Sequence, residues 1–269
     1  MRDPTAVEQT VRFFSRHLVA FCVAFKSGDE GPIAPEKFQA NCGFLLEVRE
    51  RVFFATAGHI IDIWNEGFNR PDIDIKGSWL SGAFNSGPIE NAQVPFDFKQ
   101  YKQILLFDKS RGLDYAAIEL SDRGVEQLLA NNVVIVSDEG LPSVNEQFDS
   151  FLILGLPAKS THWDGQRATL SPTIMGASRA DLPTDRKNIE FKEFVGQLGK
   201  DLSPDGPNNM EGMSGGLVFG LRRQGAEQRY WPLAIQSWCR PDEGLAFACP
   251  IRNLADHIAT IIDLEERAT

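Results

Sequence analysis

The sequence predicts an all-β fold closed by a C-terminal helix, and three observations carry that prediction. Short apolar or alternating runs recur along the 269 residues, the pattern of half-buried and fully buried strands. The 23 glycines and 15 prolines fall largely between those runs, where turns need them. Composition is that of a globular chain, 42% hydrophobic against 24% charged, which excludes a disordered chain, a collagen-like repeat and a coiled coil.

In chain order, residues Val7 to His17 read as a first helix. Strands are expected at Leu18–Phe25, Cys42–Val48, Val52–Thr56, Ile104–Phe107, Tyr115–Leu120, Phe151–Leu154, Leu217–Phe219, Leu233–Trp238 and Leu245–Ala248. Asn253 to Glu266 is an amphipathic helix, with Leu254, Ile258, Ile261, Ile262 and Leu264 on one stripe and Asp256, Glu265 and Glu266 opposite. Two stretches rich in Gly, Pro, Asp and Asn, Asn65 to Phe98 and Arg179 to Pro207, are expected as long surface loops. No internal repeat is visible.

The charge of −10 argues against nucleic acid or an anionic membrane as a partner. The first nine residues carry two acids and a proline, where a signal peptide would have a basic end and an apolar run. The most apolar early stretch, Leu18 to Phe25, is eight residues long, far short of the roughly 20 needed to cross a bilayer. A soluble, cytoplasmic protein is the expectation. Cys22, Cys42, Cys239 and Cys249 form no CxxC pair and no zinc-ligand cluster, so they are expected as buried reduced thiols, with no metal site.

Three patterns carry chemistry. An apolar strand runs into Thr56-Ala57-Gly58-His59, which gives a histidine a rigid base and room to swing. Leu113-Asp114-Tyr115-Ala116 puts an acid at the mouth of an apolar strand, where a carboxylate needs a charged or hydrogen-bonding partner. Gly212-Met213-Ser214-Gly215-Gly216 places a serine among glycines just before a strand. Glycines there let substrate approach the main chain and aim backbone N–H groups at one point. Each pattern alone is also an ordinary turn or strand end; their order is what matters.

Together the three motifs resemble those of the chymotrypsin/trypsin-like serine peptidases, over roughly residues 18 to 264. The order His, Asp, Ser is that family's, with separations of 55 and 100 residues. Ile235-Gln236-Ser237-Trp238 is similar to its substrate-pairing strand, and Gly244-Leu245-Ala246-Phe247 to the strand behind its specificity pocket. The resemblance implies two six-stranded antiparallel β-barrels, residues 1–125 carrying His and Asp and 126–252 carrying Ser and the specificity pocket, followed by a helix at 253–269. It implies His59 as general base, Asp114 as the group that orients it, and Ser214 as nucleophile. The N–H groups of Gly212 and Ser214 would form an oxyanion hole, worth about 3–4 kcal/mol per donor. Asn208, Ser237, Trp238, Cys239 and Gly244 would bind substrate, and Asn208 in place of an acid suggests a neutral residue before the scissile bond. No cofactor is implied; the partners are a protein or peptide substrate and, as a restraint on activity, a regulatory protein.

Departures from the family pattern point to a bacterial-type intracellular member. Ile60 and Met210 stand where secreted members commonly carry bridging cysteines. Met213 stands where digestive enzymes bind a newly cut N-terminus through an aspartate, so activation through that ion pair is not expected. His17, His162 and His257 lack a comparable context. The Gly-x-Ser-x-Gly of α/β-hydrolases is a poorer match, since that fold needs its acid and histidine after the serine and only 55 residues follow Ser214. A silent or latent domain that binds proteins is the alternative from a different class.

Overall fold

The computed structural model describes residues 4–28, 35–82, 84, 93–143, 145–165, 167–199 and 210–268. Helix α1 (Pro4–Ser15) leads into an eight-stranded sheet, seven strands of which are antiparallel neighbours: β1 (Val19–Ser27), β2 (Lys37–Val48), β3 (Arg51–Thr56), β4 (Ile73–Ser81), β5 (Gln93–Pro95), β6 (Gln103–Asp108) and β7 (Leu113–Glu119), in the order β5-β4-β1-β2-β3-β7-β6. The eighth strand, β8 (Val136–Ser137), joins β2 in parallel at Leu46 and Glu47. Strand β2 is twelve residues long and turns a corner: its first half pairs with β1 and its second half with β3. The sheet therefore folds back over Phe21, whose ring meets Phe54, Trp64, Phe96 and Phe98 edge-on at 5.6–6.3 Å.

The second half is a closed barrel, β12-β13-β16-β15-β14-β9, formed by β9 (Ser150–Gly155), β12 (Thr173–Arg179), β13 (Phe194–Leu198), β14 (Leu217–Gln224), β15 (Glu227–Arg240) and β16 (Leu245–Pro250). A two-stranded excursion, β10 (Thr161–Trp163) and β11 (Ala168–Leu170), leaves it after β9. Six strands and closure match the expectation for this half. The first half differs from the expected six-stranded barrel: it is an eight-stranded sheet with β5 and β6 at its ends. Strand β5 is three residues long and ends in Pro95, which has no N–H to give a further partner.

Both stretches expected as loops contain ordered strand. Strand β4 pairs with β1 along its length and β5 with β4, while β13 joins β12 to β16 inside the barrel. Two further helices lie beyond those the sequence predicts, α2 (Gly58–Gly67) and α3 (Asp122–Ala130). Helix α4 (Ile251–Ala268) buries Leu254, Ile258 and Ile262 as expected, but Leu264 faces solvent, 59% exposed. No helix among the described residues is long and apolar enough to cross a membrane.

One apolar cluster runs from the first sheet into α4 and onto Leu154, Leu217, Phe219 and Ile235 of the barrel. Helix α1 is fixed to it through Phe14, whose ring lies 4.8 Å from Phe219 and 5.1 Å from Tyr230. His17 is buried beside them, with Nε2 3.1 Å from the Tyr230 hydroxyl. Burial, then the neighbouring Arg16 cation, push its pKa down to about 4. The unfolded ring takes up its proton near 6.5, so between pH 6.5 and 4 the unfolded chain holds more protons than the native one. The contribution of this group is thus complete above pH 6.5, falls as pH drops towards 4, and amounts to about 3 kcal/mol in total. Replacing His17 by Gln should flatten the pH dependence of the urea midpoint across that window. An unchanged profile would show that acid sensitivity arises elsewhere.

Candidate active site

Strand β3 ends at Thr56, and the chain enters α2 at once, so His59 sits in the first turn of a helix. The expected freedom of a strand-end histidine to swing is not what the structure shows. The N-cap position of α2 is Ala57, which has no side-chain oxygen to offer the free N–H groups of the first turn. Asp114, arriving on β7, supplies it: the His59 N–H donates to Asp114 Oδ1 at 2.8 Å. The other oxygen, Oδ2, lies 2.8 Å from His59 Nδ1 and also accepts the Ser237 hydroxyl. The carboxylate is almost fully buried, the imidazole 22% exposed. Residues 55 positions apart are thereby fixed by backbone and ring together.

Ser214 lies in a turn of the second half that packs against the first. Gly212 and Gly215 both have positive φ, +87° and +85°, which non-glycine residues rarely adopt. Gly215 donates its N–H to the Gln236 carbonyl at 2.7 Å, and a side chain here would run into the Cys42 carbonyl, which accepts the Thr56 hydroxyl at 2.6 Å. The Glu211 carbonyl accepts from the Ala158 N–H at 2.7 Å, and a trans peptide then turns the Gly212 N–H the other way. Neither the Gly212 nor the Ser214 N–H donates to a protein acceptor among the described residues.

A cleft of about 170 Å³ is lined by His59, Ser214, Gly212, Gln39, Asn41 and Trp64, so the histidine and the serine face one space. The Ser214 hydroxyl donates to the Ser237 carbonyl at 2.8 Å, and the described hydrogen bonds include none between Ser214 and His59. Ser237 thus touches both partners, through its hydroxyl to Asp114 and its carbonyl to Ser214. Trp238 lies flat on Phe247, ring centroids 3.8 Å apart. Cys239 is half-buried, its thiol raised by that burial. Gly244, at φ +66°, follows the turn Pro241–Glu243 and accepts a hydrogen bond from Gln197. Asn208 lies outside the described residues.

Met213 is fully buried in the barrel's apolar cluster with Phe151, Ile153, Met175 and Val218. All four cysteines are free thiols. Cys42 has a place in the site that the sequence did not reveal: its Sγ–H donates to the Gly212 carbonyl at 3.4 Å, and its sulfur accepts the Leu156 N–H at 3.0 Å. Burial pushes this thiol up to about 12, so it keeps the proton it donates. Of the other histidines, His17 is buried packing, as described, while His162 and His257 are exposed. The described residues hold no group of His, Cys, Asp and Glu arranged for a metal ion.

No family model matches the chain, and no curated protein matches it in sequence. Among solved structures it is similar to serine proteases. The thermostable serine protease AL20 from an extremophilic microorganism is 13% identical over 91% of this chain and 98% of its own, with a TM-score of 0.48. Deg5 is 14% identical over 95% and 94%, with a TM-score of 0.44. The HtrA-type protease AlgW, with a tripeptide, is 10% identical over 94% of this chain and 62% of its own, with a TM-score of 0.47.

Proposed function

We propose that the chain is a trypsin-like serine endopeptidase, with Ser214 as nucleophile, His59 as general base and Asp114 as the group that orients the imidazole and stabilises its imidazolium. The observation that carries this reading is the pair of hydrogen bonds that Asp114 accepts from His59, one from its main-chain N–H and one from its ring. A carboxylate on Nδ1 leaves Nε2 unprotonated and able to accept the serine proton. Ser214 Oγ then attacks the scissile carbonyl as its proton passes to Nε2. The tetrahedral oxyanion forms beside the N–H groups of Gly212 and Ser214, which have no protein acceptor among the described residues to release. The leaving amine takes the proton from His59, and water, deprotonated by the same ring, hydrolyses the acyl-enzyme. The substrate is a protein or peptide in extended form, paired with Ser237 to Cys239, with a neutral residue before the scissile bond. No cofactor is needed. The four free thiols support residence in the cytoplasm, as a bacterial-type intracellular member.

One observation favours a second reading, a latent or silent domain that binds proteins: the Ser214 hydroxyl is given to the Ser237 carbonyl. Attack requires that it rotate towards His59. A fluorophosphonate probe separates the two readings, since it reacts only with an activated serine. Attachment to the peptide containing Ser214, located by mass spectrometry, is the expected result. A folded protein that stays unlabelled would favour the latent or binding role.

A further inference from the structure

We propose that Arg186 and Glu193 are positioning residues which clamp Trp238, and with it the substrate-pairing segment, to the turn that delivers Asp114. The proposal rests on the endopeptidase reading and adds what holds the extended substrate in register.

Residues 180–193, between β12 and β13, form a strap across the junction of the two halves. One side of the strap is tied to the β6–β7 turn just before Asp114. Arg186 Nη1 donates to the Lys109 carbonyl at 3.3 Å and the Phe191 N–H to the Arg111 carbonyl at 2.9 Å. Arg111 also grips Glu190 through two nitrogens, at 2.7 and 2.8 Å. The other side reaches Trp238. Arg186 forks onto Glu193, Nη2 to Oε1 at 2.8 Å and Nε to Oε2 at 3.2 Å, and Oε1 accepts the Trp238 indole N–H at 3.3 Å. The Arg186 guanidinium stands 5.0 Å from the indole centroid, that of Arg240 5.3 Å from it, and the Phe247 ring stacks on the indole at 3.8 Å.

The Glu193 side chain is only 3% exposed and that of Arg186 16%. A pair this deeply buried recovers little net stability, because desolvation offsets its attraction; what a bidentate fork adds is a fixed geometry. Here it fixes the indole from its edge while stacking fixes its plane. The loop of contacts closes on the site itself, because Ser237, next to Trp238, bonds both Asp114 and Ser214. A cavity of about 160 Å³ lies between Lys109, Leu113, Asp114, Glu193 and Trp238, and the clamp forms its wall.

The clamp acts through Trp238, so its loss should weaken the hold on an extended peptide and spare the chemistry at Ser214. The test compares inactivation by a tetrapeptidyl diphenyl phosphonate with that by its single-residue counterpart, both ending in the neutral residue that reacts fastest. Wild type should gain at least tenfold from the extension, all of it in the half-saturating concentration. Glu193→Gln and, as a second variant keeping the cation, Arg186→Lys should each lose fivefold or more of that gain, with single-residue rates within twofold of wild type. Variants that retain the full gain, or that slow equally with both inactivators, overturn the clamp. So does a wild type that gains nothing from extension while its Ser214 still takes the fluorophosphonate. A folded wild type that refuses the fluorophosphonate fails the endopeptidase reading itself, and the clamp falls with it.

Discussion

Asp114→Asn is expected to lower kcat for peptide hydrolysis by on the order of 10⁴-fold while leaving the fold in place. The carboxylate accepts three hydrogen bonds, from the His59 main-chain N–H, from the ring at Nδ1 and from the Ser237 hydroxyl. An asparagine can keep the first through its oxygen, so the N-terminus of α2 stays capped and thermal stability moves little. Its NH₂ must then face the ring. A donor opposite Nδ1 forces the other tautomer, with the proton on Nε2, and that nitrogen can no longer take the proton of Ser214. The stabilising charge beside the imidazolium is lost as well. Steady-state kinetics together with a thermal melt decide the matter. A loss below tenfold would mean that Asp114 serves α2 as a cap and the reaction not at all.

The two bonds between Asp114 and His59 show where the sequence was legible and where it was not. Strands whose apolar character is continuous, such as Val19 to Phe25, Phe53 to Thr56 and Phe151 to Leu154, can be read directly, because both faces are covered. Strand β4, Ile-Asp-Ile-Lys-Gly-Ser-Trp-Leu-Ser, mixes charges and a glycine into its alternation and shows solvent one face, so it resembles a loop until β1 pairs with it. Strand β13 is five residues with a central glycine, held by β12 on one side and β16 on the other. The start of α2 was readable in principle: Ile60, Ile61 and Trp64 are spaced as one helical face, but they follow the histidine so closely that the strand-end reading prevailed.

At the site, local motifs single out His59, Asp114 and Ser214, because each needs a distinctive set of neighbours in the chain. The contacts between them depend on rotamers and on partners far away in sequence, and no local pattern reports those. The Ser214 hydroxyl on the Ser237 carbonyl is of this kind. So is the Arg186–Glu193 fork, two charges in a stretch rich in charged and turn-forming residues, which reads as a solvated loop until Trp238 comes to lie against it.

One contact between the two halves can be broken with a single methyl group. A Cβ on Gly215 would stand 2.1 Å from the Cys42 carbonyl oxygen and 2.3 Å from Thr56 Oγ1, two atoms already bonded to one another. Neither is the tip of a flexible side chain: the first is β2 backbone, the second a fully buried threonine at the end of β3. The residue would also have to hold φ at +85°. Overpacking of this kind costs about 1–3 kcal/mol and the left-handed backbone about 1–2 more, so Gly215→Ala should lose about 2–5 kcal/mol of stability. For a chain of this size that lowers the melting temperature by roughly ten degrees. Gly225→Ala is the control, since φ there is +63° but nothing lies within 4 Å of the new Cβ. It should cost about 1–2 kcal/mol, the backbone term alone. The difference between the two variants isolates the clash between the serine turn and β2. If the two melt within two degrees of each other, the halves are not held together at Gly215. Loss of fluorophosphonate labelling in Gly215→Ala at temperatures where it remains folded would then trace the effect to the N–H groups of the turn, displaced as β2 pushes the serine away from His59.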